Sequence, residues 1–147
     1  MKKFKMRWPE LGLEVTCNGI AANGAALDTL LANLPIKAIQ GHEMVGGWML
    51  RDRSVHLKKQ PFAIAPSDLS EEAMQDAPVG RISLLFPQGS NTEVLAKYDA
   101  CVDTRTYVPI AQVQDSDLDV LKKVGKLQWK SATRTKEVYV VEFLEVE

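Results

Sequence analysis

The sequence predicts a mainly β (α+β) fold, a closed or nearly closed antiparallel barrel with two helices capping its ends. Three observations carry this. Period-two alternation recurs in seven or eight short stretches, the pattern of strands with one face buried. Helical periodicity is confined to two segments. No repeat, low-complexity tract or linker divides the 147 residues, so residues 1–147 are read as one domain.

Taken in order, Phe4 to Trp8 and Leu13 to Cys17 alternate on either side of "PELG", a turn-forming tetrapeptide, which predicts an opening β-hairpin. "NGAALDTLLANLP" follows: Asn23 is placed to cap, Leu27, Leu30, Leu31 and Leu34 share one helical face, and Pro35 stops the helix. Residues 36–58 return to strand character, and Gly46-Gly47 marks a bulge or a close backbone approach. Residues 60–80 hold three prolines and an acidic patch, and read as a long loop with one helical turn. "GRISLLFPQGS", "TEVLAKYDACVD" and "TYVPIAQVQD" are strands. Ser116 with Asp119 suggests a capping box opening a second helix, whose inner stripe is Leu118, Leu121, Val124 and Gln128 or Trp129. "EVYVVEFLEV" is the last and strongest strand.

Composition narrows the function classes. Eighteen basic residues against 19 acidic give a net charge of -1, which removes the generic electrostatic case for nucleic acid. Two local runs of four positive charges, Met1 to Arg7 and Arg51 to Lys59, fall on strand-like residues and read as solvated strand edges. The N-terminus shows no apolar export segment, and no stretch approaches the roughly 18 apolar residues of a membrane span. The cytoplasm is therefore the expected location, with no membrane partner. Cys17 and Cys101 fit no metal spacing and read as buried thiols in a reducing compartment. With His42 and His56 the only histidines, no metal site and no cofactor are expected.

Several of these stretches together resemble a family. The "LGLEV" strand, "LDTLLANLPI", the strand through His42 to Gly47, "GRISLLFPQG" followed by "TEVLAKYD", and "DLDVLKKVGKLQWKSATRTKEVYVVEF" are similar to the bacterial cyclophilin-like proteins of unknown function, small single-domain relatives of the cyclophilin barrel. The resemblance spans nearly all of the chain and implies a flattened eight-stranded barrel with a cleft on its outer face. It does not carry prolyl isomerase activity with it. Cyclophilins use the arginine of a Phe-His-Arg strand motif, whereas His42 is followed here by Glu43 and the nearest arginine in that region is Arg51.

The chemistry-bearing residues are weak signals one at a time. "HEMVG" is not a zinc-protease helix, because Gly46 stands where the second histidine is required. His42 and Glu43 are adjacent, so on a strand they face opposite sides and only one of them reaches a cleft. Trp48 shares parity with His42 and would line the same wall, or else pack in the core. Glu93 and Tyr98 follow the "PQGS" turn, where the resemblance puts them beside the cleft. Arg105 and Tyr107 share parity and suit a carboxylate, unless Arg105 pairs with Asp103. There is no nucleophile elbow and no phosphate loop.

The expectation is a barrel that binds a small molecule or short peptide in a cleft built from residues 40–51, 86–98 and 105–109. Ligand contacts would come from Trp48, Arg51, Glu93, Tyr98, Arg105 and Tyr107, and any proton transfer would use His42 or Glu43. In that case His42 and Arg51 converge on one pocket. The alternative is an interaction module that uses the 60–80 loop and a sheet edge, with Phe62, Ile64 and Met74 exposed. A symmetric homodimer is the default oligomer by frequency alone.

Overall fold

Nine antiparallel strands and two helices make up the computed structural model, which describes residues 1–60, 64–87 and 89–147. The strands are β1 (Lys3–Trp8), β2 (Leu13–Gly19), β3 (Ile36–His42), β4 (Gly47–Leu57), β5 (Glu72–Ala73), β6 (Arg81–Leu85), β7 (Gly89–Cys101), β8 (Thr106–Val113) and β9 (Tyr139–Glu145). The helices are α1 (Gly24–Ala32) and α2 (Leu118–Lys130), the latter followed by a π-type turn at Ser131–Thr135. Eight strands run in the order β2-β1-β9-β3-β4-β7-β6-β8, and β2 pairs with β8 to close the ring. The result is a flattened closed barrel, as predicted. Closure leaves the ring no free edges. The short β5 adds to the outside, against β8.

Alternation builds two apolar layers. Phe4, Met6 and Trp8 of β1, Val15 and Cys17 of β2, Leu50 of β4, Val94 and Ala96 of β7 and Phe143 of β9 belong to one buried core. Ala26, Leu27 and Leu30 of α1 join it, as do Leu121 and Val124 of α2, so each helix closes part of the interior with one face. The opposite parity is not left to solvent. Met49 and Leu95 point outward, and with Met74, Ala77, Cys101 and Tyr107 they form a second buried cluster beneath residues 72–80.

The 60–80 segment is therefore part of the packed structure where it is described. Lys97, only 4% exposed, donates from Nζ to the carbonyls of Met74 (2.8 Å), Ala77 (2.6 Å) and Gln75 (3.3 Å), fastening the segment to β7. A 3-10 turn at Pro66–Asp68 is the helical turn the composition suggested. Two capping expectations are corrected. Asn23 stands before α1, but its side chain bonds the backbone of Ser70 and the Pro109 carbonyl, tying distant segments together rather than capping. Ser116 lies in a 3-10 turn, so α2 starts after Asp117, whose carboxylate accepts from the Thr16 amide at 2.8 Å.

Gly46-Gly47 does mark a bulge and a close approach. The β4–β7 register shifts between Gly47 and Met49, Gly47 sits at φ +125°, and a Cβ there would lie 2.6 Å from Cys101 Cα. Cys17 and Cys101 are both buried free thiols.

Candidate functional site

Strand parity decides where the candidate residues go. In the β3–β4 pairing, His42 stands opposite Leu50 and Gly41 opposite Arg51. Leu50 belongs to the barrel core, so His42 faces inward and Arg51 outward. The expected convergence of His42 and Arg51 is thereby corrected: a wall of the barrel separates them. Glu93 and Tyr98 are divided in the same way, being five residues apart on β7. The candidates form two sets, one on each side of the sheet.

The inner set is aromatic. His42, Trp48 and Tyr98 gather where β3, β4 and β7 meet α2, and Trp129 of α2 completes the group. Ring centroids lie 4.9 Å apart for His42 and Trp129 and 5.4 Å for Trp48 and Trp129, tilted or edge-on as aromatic quadrupoles prefer. His42 Nδ1 lies 2.6 Å from the Glu43 carbonyl and Nε2 lies 2.7 Å from the Tyr98 hydroxyl. A carbonyl only accepts, so Nδ1 carries the proton and Tyr98 donates to Nε2. Burial lowers the pKa of His42, against a smaller opposing pull from Glu43. Burial likewise raises that of Tyr98. His42 and Tyr98 are almost fully covered, Trp129 is partly buried, and Trp48 is the most open of the set at 41% exposure.

The outer set is ionic. Arg51 bridges two carboxylates, donating from Nη1 to Glu43 and from Nη2 to Glu93 at 2.6 Å. Glu43 also accepts from the Met44 and Val45 amides, at 3.0 and 3.4 Å. Burial works to raise its carboxyl pKa, but the Arg51 hydrogen bond and charge outweigh that and hold it low. Arg105 approaches Glu43 to 3.7 Å and is gripped by Asp103, with Nε to Oδ1 at 2.9 Å and Nη2 to Oδ2 at 2.8 Å. Tyr107 donates to the same Asp103 oxygen at 2.8 Å, and burial with that bond pushes its hydroxyl up to about 12. Arg105 and Tyr107 thus meet on Asp103, and the pairing weighed against carboxylate binding is the one observed.

A cavity of about 440 Å³ opens on this outer side, lined by Glu43, Val45, Gly46, Val102, Asp103, Thr104 and Arg105. The β3–β4 turn forms one wall, and the 102–105 connection between β7 and β8 forms the other. The amides of Val102 and Asp103 both donate to the Gly46 carbonyl and lock the two together. Gly46 keeps the approach close, since a Cβ there would stand 3.0 Å from the Asp103 side chain. Of the residues expected to build a cleft, 40–51, 86–98 and 105–109, only Glu43, Val45, Gly46 and Arg105 line this cavity. Among the described residues, no three metal-binding side chains converge.

Sequence reasoning passed over Trp129 as a site residue and treated Asp103 only as a foil for Arg105. The one available signal for Trp129 was its place one turn after Gly125. That glycine lets α2 press onto the Tyr98 ring, where a Cβ would come within 2.4 Å. The patch expected for an interaction module is not present where it is described. Ile64 and Met74 are buried at 8% and 1%, and Phe62 lies outside the described residues. No described helix is long and apolar enough to cross a membrane.

No protein-family model matches the chain, and no curated protein matches it in sequence. Among solved structures, McbB in complex with tryptophan superposes on 97% of this chain with a TM-score of 0.83 at 23% identity. This chain covers 44% of that one, so it spans less than half the length of its neighbour. The likeness establishes a shared fold: a closed eight-stranded antiparallel barrel that in McbB belongs to a protein holding tryptophan.

Proposed function

We propose that this chain is a cyclophilin-like barrel that binds a small molecule or short peptide on its outer face, in the cavity between residues 43–46 and 102–105, without prolyl isomerase activity. The observation that carries this reading is the Glu43–Arg51–Glu93 and Asp103–Arg105 network, which pre-positions a guanidinium at the wall of a cavity of about 440 Å³. That volume lies within the roughly 300–1,000 Å³ of small-ligand sites, which are mostly apolar with a few well-held polar groups. McbB, solved in complex with tryptophan, adds support for a small ligand on this fold.

Binding is favoured over catalysis because the groups that move protons are already engaged. His42 is enclosed by aromatic rings, and the Glu43 carboxylate is saturated by Arg51 and two amides. Arg51, the arginine nearest the motif position of an isomerase, is held between two carboxylates and is not free for a prolyl carbonyl. Among the candidate residues named from sequence, Arg105 is thus the ligand contact of this proposal, and Glu43 lines the cavity beside it. Trp48 and Tyr98 lie on the inner side of the wall, and Tyr107 holds Asp103 in place.

The test is a thermal melt of the protein against a panel of small acids, amides, amines and proline-containing peptides. A ligand at a hundred times its Kd should add about 2.7 kcal/mol. The expected result is a rise in midpoint with one class that disappears in Arg105→Gln. A rise unaffected by Arg105→Gln or by Val102→Ser would place the site elsewhere, and catalysed isomerisation of a prolyl peptide would overturn the last part of the reading.

A further inference from the structure

At the outer cavity the two carboxylates are engaged by internal hydrogen bonds, whereas Arg105 keeps donors unused. Asp103 Oδ1 accepts from the backbone amide and Nε of Arg105, and Oδ2 accepts from Arg105 Nη2 and Tyr107. Glu43 accepts from two amides and from Arg51. The cavity's acceptors are therefore largely satisfied. A guanidinium has five N–H donors. Arg105 uses its Nε and Nη2 edge on Asp103, while Nη1 makes no hydrogen bond among the described residues. The Arg105 side chain is 55% exposed, yet it is held at two points, so little ordering remains to be done when a ligand arrives.

We propose that this cavity recognises an apolar monocarboxylate, its carboxylate on Arg105 Nη1 and its apolar group between Val45 and Val102. The proposal rests on the outer-face reading above and names its ligand class. Unused donors call for an acceptor, and a carboxylate is the acceptor whose charge strengthens the bond. Val45 and Val102 flank the cavity at 86% and 76% exposure, more apolar surface than the fold itself covers. Charge sets the upper limit. Two guanidinium groups, Arg51 and Arg105, face three carboxylates, Glu43, Glu93 and Asp103; the unused Nη1 of Arg105 meets one negative charge, and a second would find no cation of its own beside those carboxylates. Phosphate esters and dicarboxylates are disfavoured for that reason. The carboxylate can belong to a small free acid or to the C-terminus of a peptide.

The experiment is an amide-resolved NMR titration of the intact chain with N-acetyl-leucine, its C-terminal amide, isopentylamine, and a short leucine-terminated peptide with a free or an amidated C-terminus. The expected result is saturable shifts at Val45, Val102 and Arg105 with the free acids only. Affinity should fall roughly tenfold or more in Arg105→Gln, the range of a lost charge-assisted hydrogen bond. Val102→Ser, which leaves the ion network intact, should weaken N-acetyl-leucine but not acetate. Response to the peptide acid alone would make the ligand a chain terminus, and response to both acids a small molecule. If the amide or the amine shifts the same residues as well as the acid does, the carboxylate assignment falls while the pocket reading stands. Shifts confined to the lysines of α2 would mean surface ion pairing and overturn the assignment. If no probe moves any residue of the cavity, both readings fall.

Discussion

Arg51 and His42 are one pairing position apart on neighbouring strands, and they face opposite sides of the barrel wall. His42 stands across from Leu50 and enters the aromatic group closed by α2, while Arg51 stands across from Gly41 and joins the ionic network outside. Two chemically unlike sites therefore share a single pair of strands, and each can be perturbed separately.

Arg51→Ala removes the cation between Glu43 and Glu93. Glu43 is 7% exposed, so its charge would be left without its main partner in a poorly hydrated place. The expected loss is about 3 kcal/mol at neutral pH by urea denaturation. The deficit should shrink on acidification. The Glu43 pKa is held low in the folded chain, so the stability it contributes is present above the unfolded carboxylate range and is lost as pH falls through the folded value. A deficit that stays constant down to acid pH would rule out the ion pair as its cause.

Asp52 tests the barrel interior. It pairs with Gln40 across β3 and β4, is 1% exposed, and burial pushes its carboxyl up to about 8. The folded chain therefore keeps a proton that the unfolded chain releases near pH 4. The stability contribution is full below that unfolded value and is lost as pH rises through about 8. Asp52→Asn should be more stable than the parent at pH 8 to 9 and show a smaller gain, or none, at pH 5. Equal urea midpoints for the two proteins across this range would refute a neutral buried carboxyl.

Gly125 sets two effects against each other. Alanine in a helix interior gains about 1 kcal/mol over glycine. A Cβ here, however, would stand 2.4 Å from the Tyr98 ring, which is buried and has nowhere to retreat. Overpacking costs about 1–3 kcal/mol, so Gly125→Ala should be net destabilising by about 1 kcal/mol. A stabilised variant would mean that α2 rides further from the barrel than the structure has it.

The Tyr98 hydroxyl is the donor to His42 Nε2 at 2.7 Å. Tyr98→Phe leaves that buried acceptor unpaired and should cost about 1–3 kcal/mol at neutral pH. His42 adds an acid dependence of its own. Burial lowers its pKa, so its contribution is present above the unfolded value near 6.5 and is lost as pH falls through the folded one. Chemical-shift titration of the His42 ring checks this directly; a midpoint at or above 6.5 would contradict it.

The barrel was legible in the chain because alternation is a local signal. Every other residue of Phe4 to Trp8 must leave water, and a run of such strands with only two amphipathic helices has few ways to close. Gly46-Gly47 was legible too, since paired glycines inside strand-like sequence mark a place where a Cβ does not fit. The candidate residues His42, Glu43, Trp48, Arg51, Glu93, Tyr98, Arg105 and Tyr107 all make specific contacts in the structure, on two sides of the sheet. Their division was not readable.

Which residue meets which depends on register and on strands far apart in the chain. Glu93 reaches Arg51 because β4 pairs with β7, and Arg105 reaches Glu43 because Gly46 binds the start of the 102–105 connection. Trp129 enters the aromatic group because Gly125, one turn earlier, lets α2 settle onto Tyr98. Local patterning settled that residues 42, 48, 51, 93, 98 and 107 lie on strands. Only the closed barrel, by bringing residues 43, 51, 93 and 105 to one outer surface and 42, 48 and 98 against Trp129 of α2, decided what each can touch. Hydrogen bonds and ion pairs act over a few ångströms, and distance along the chain carries no such information.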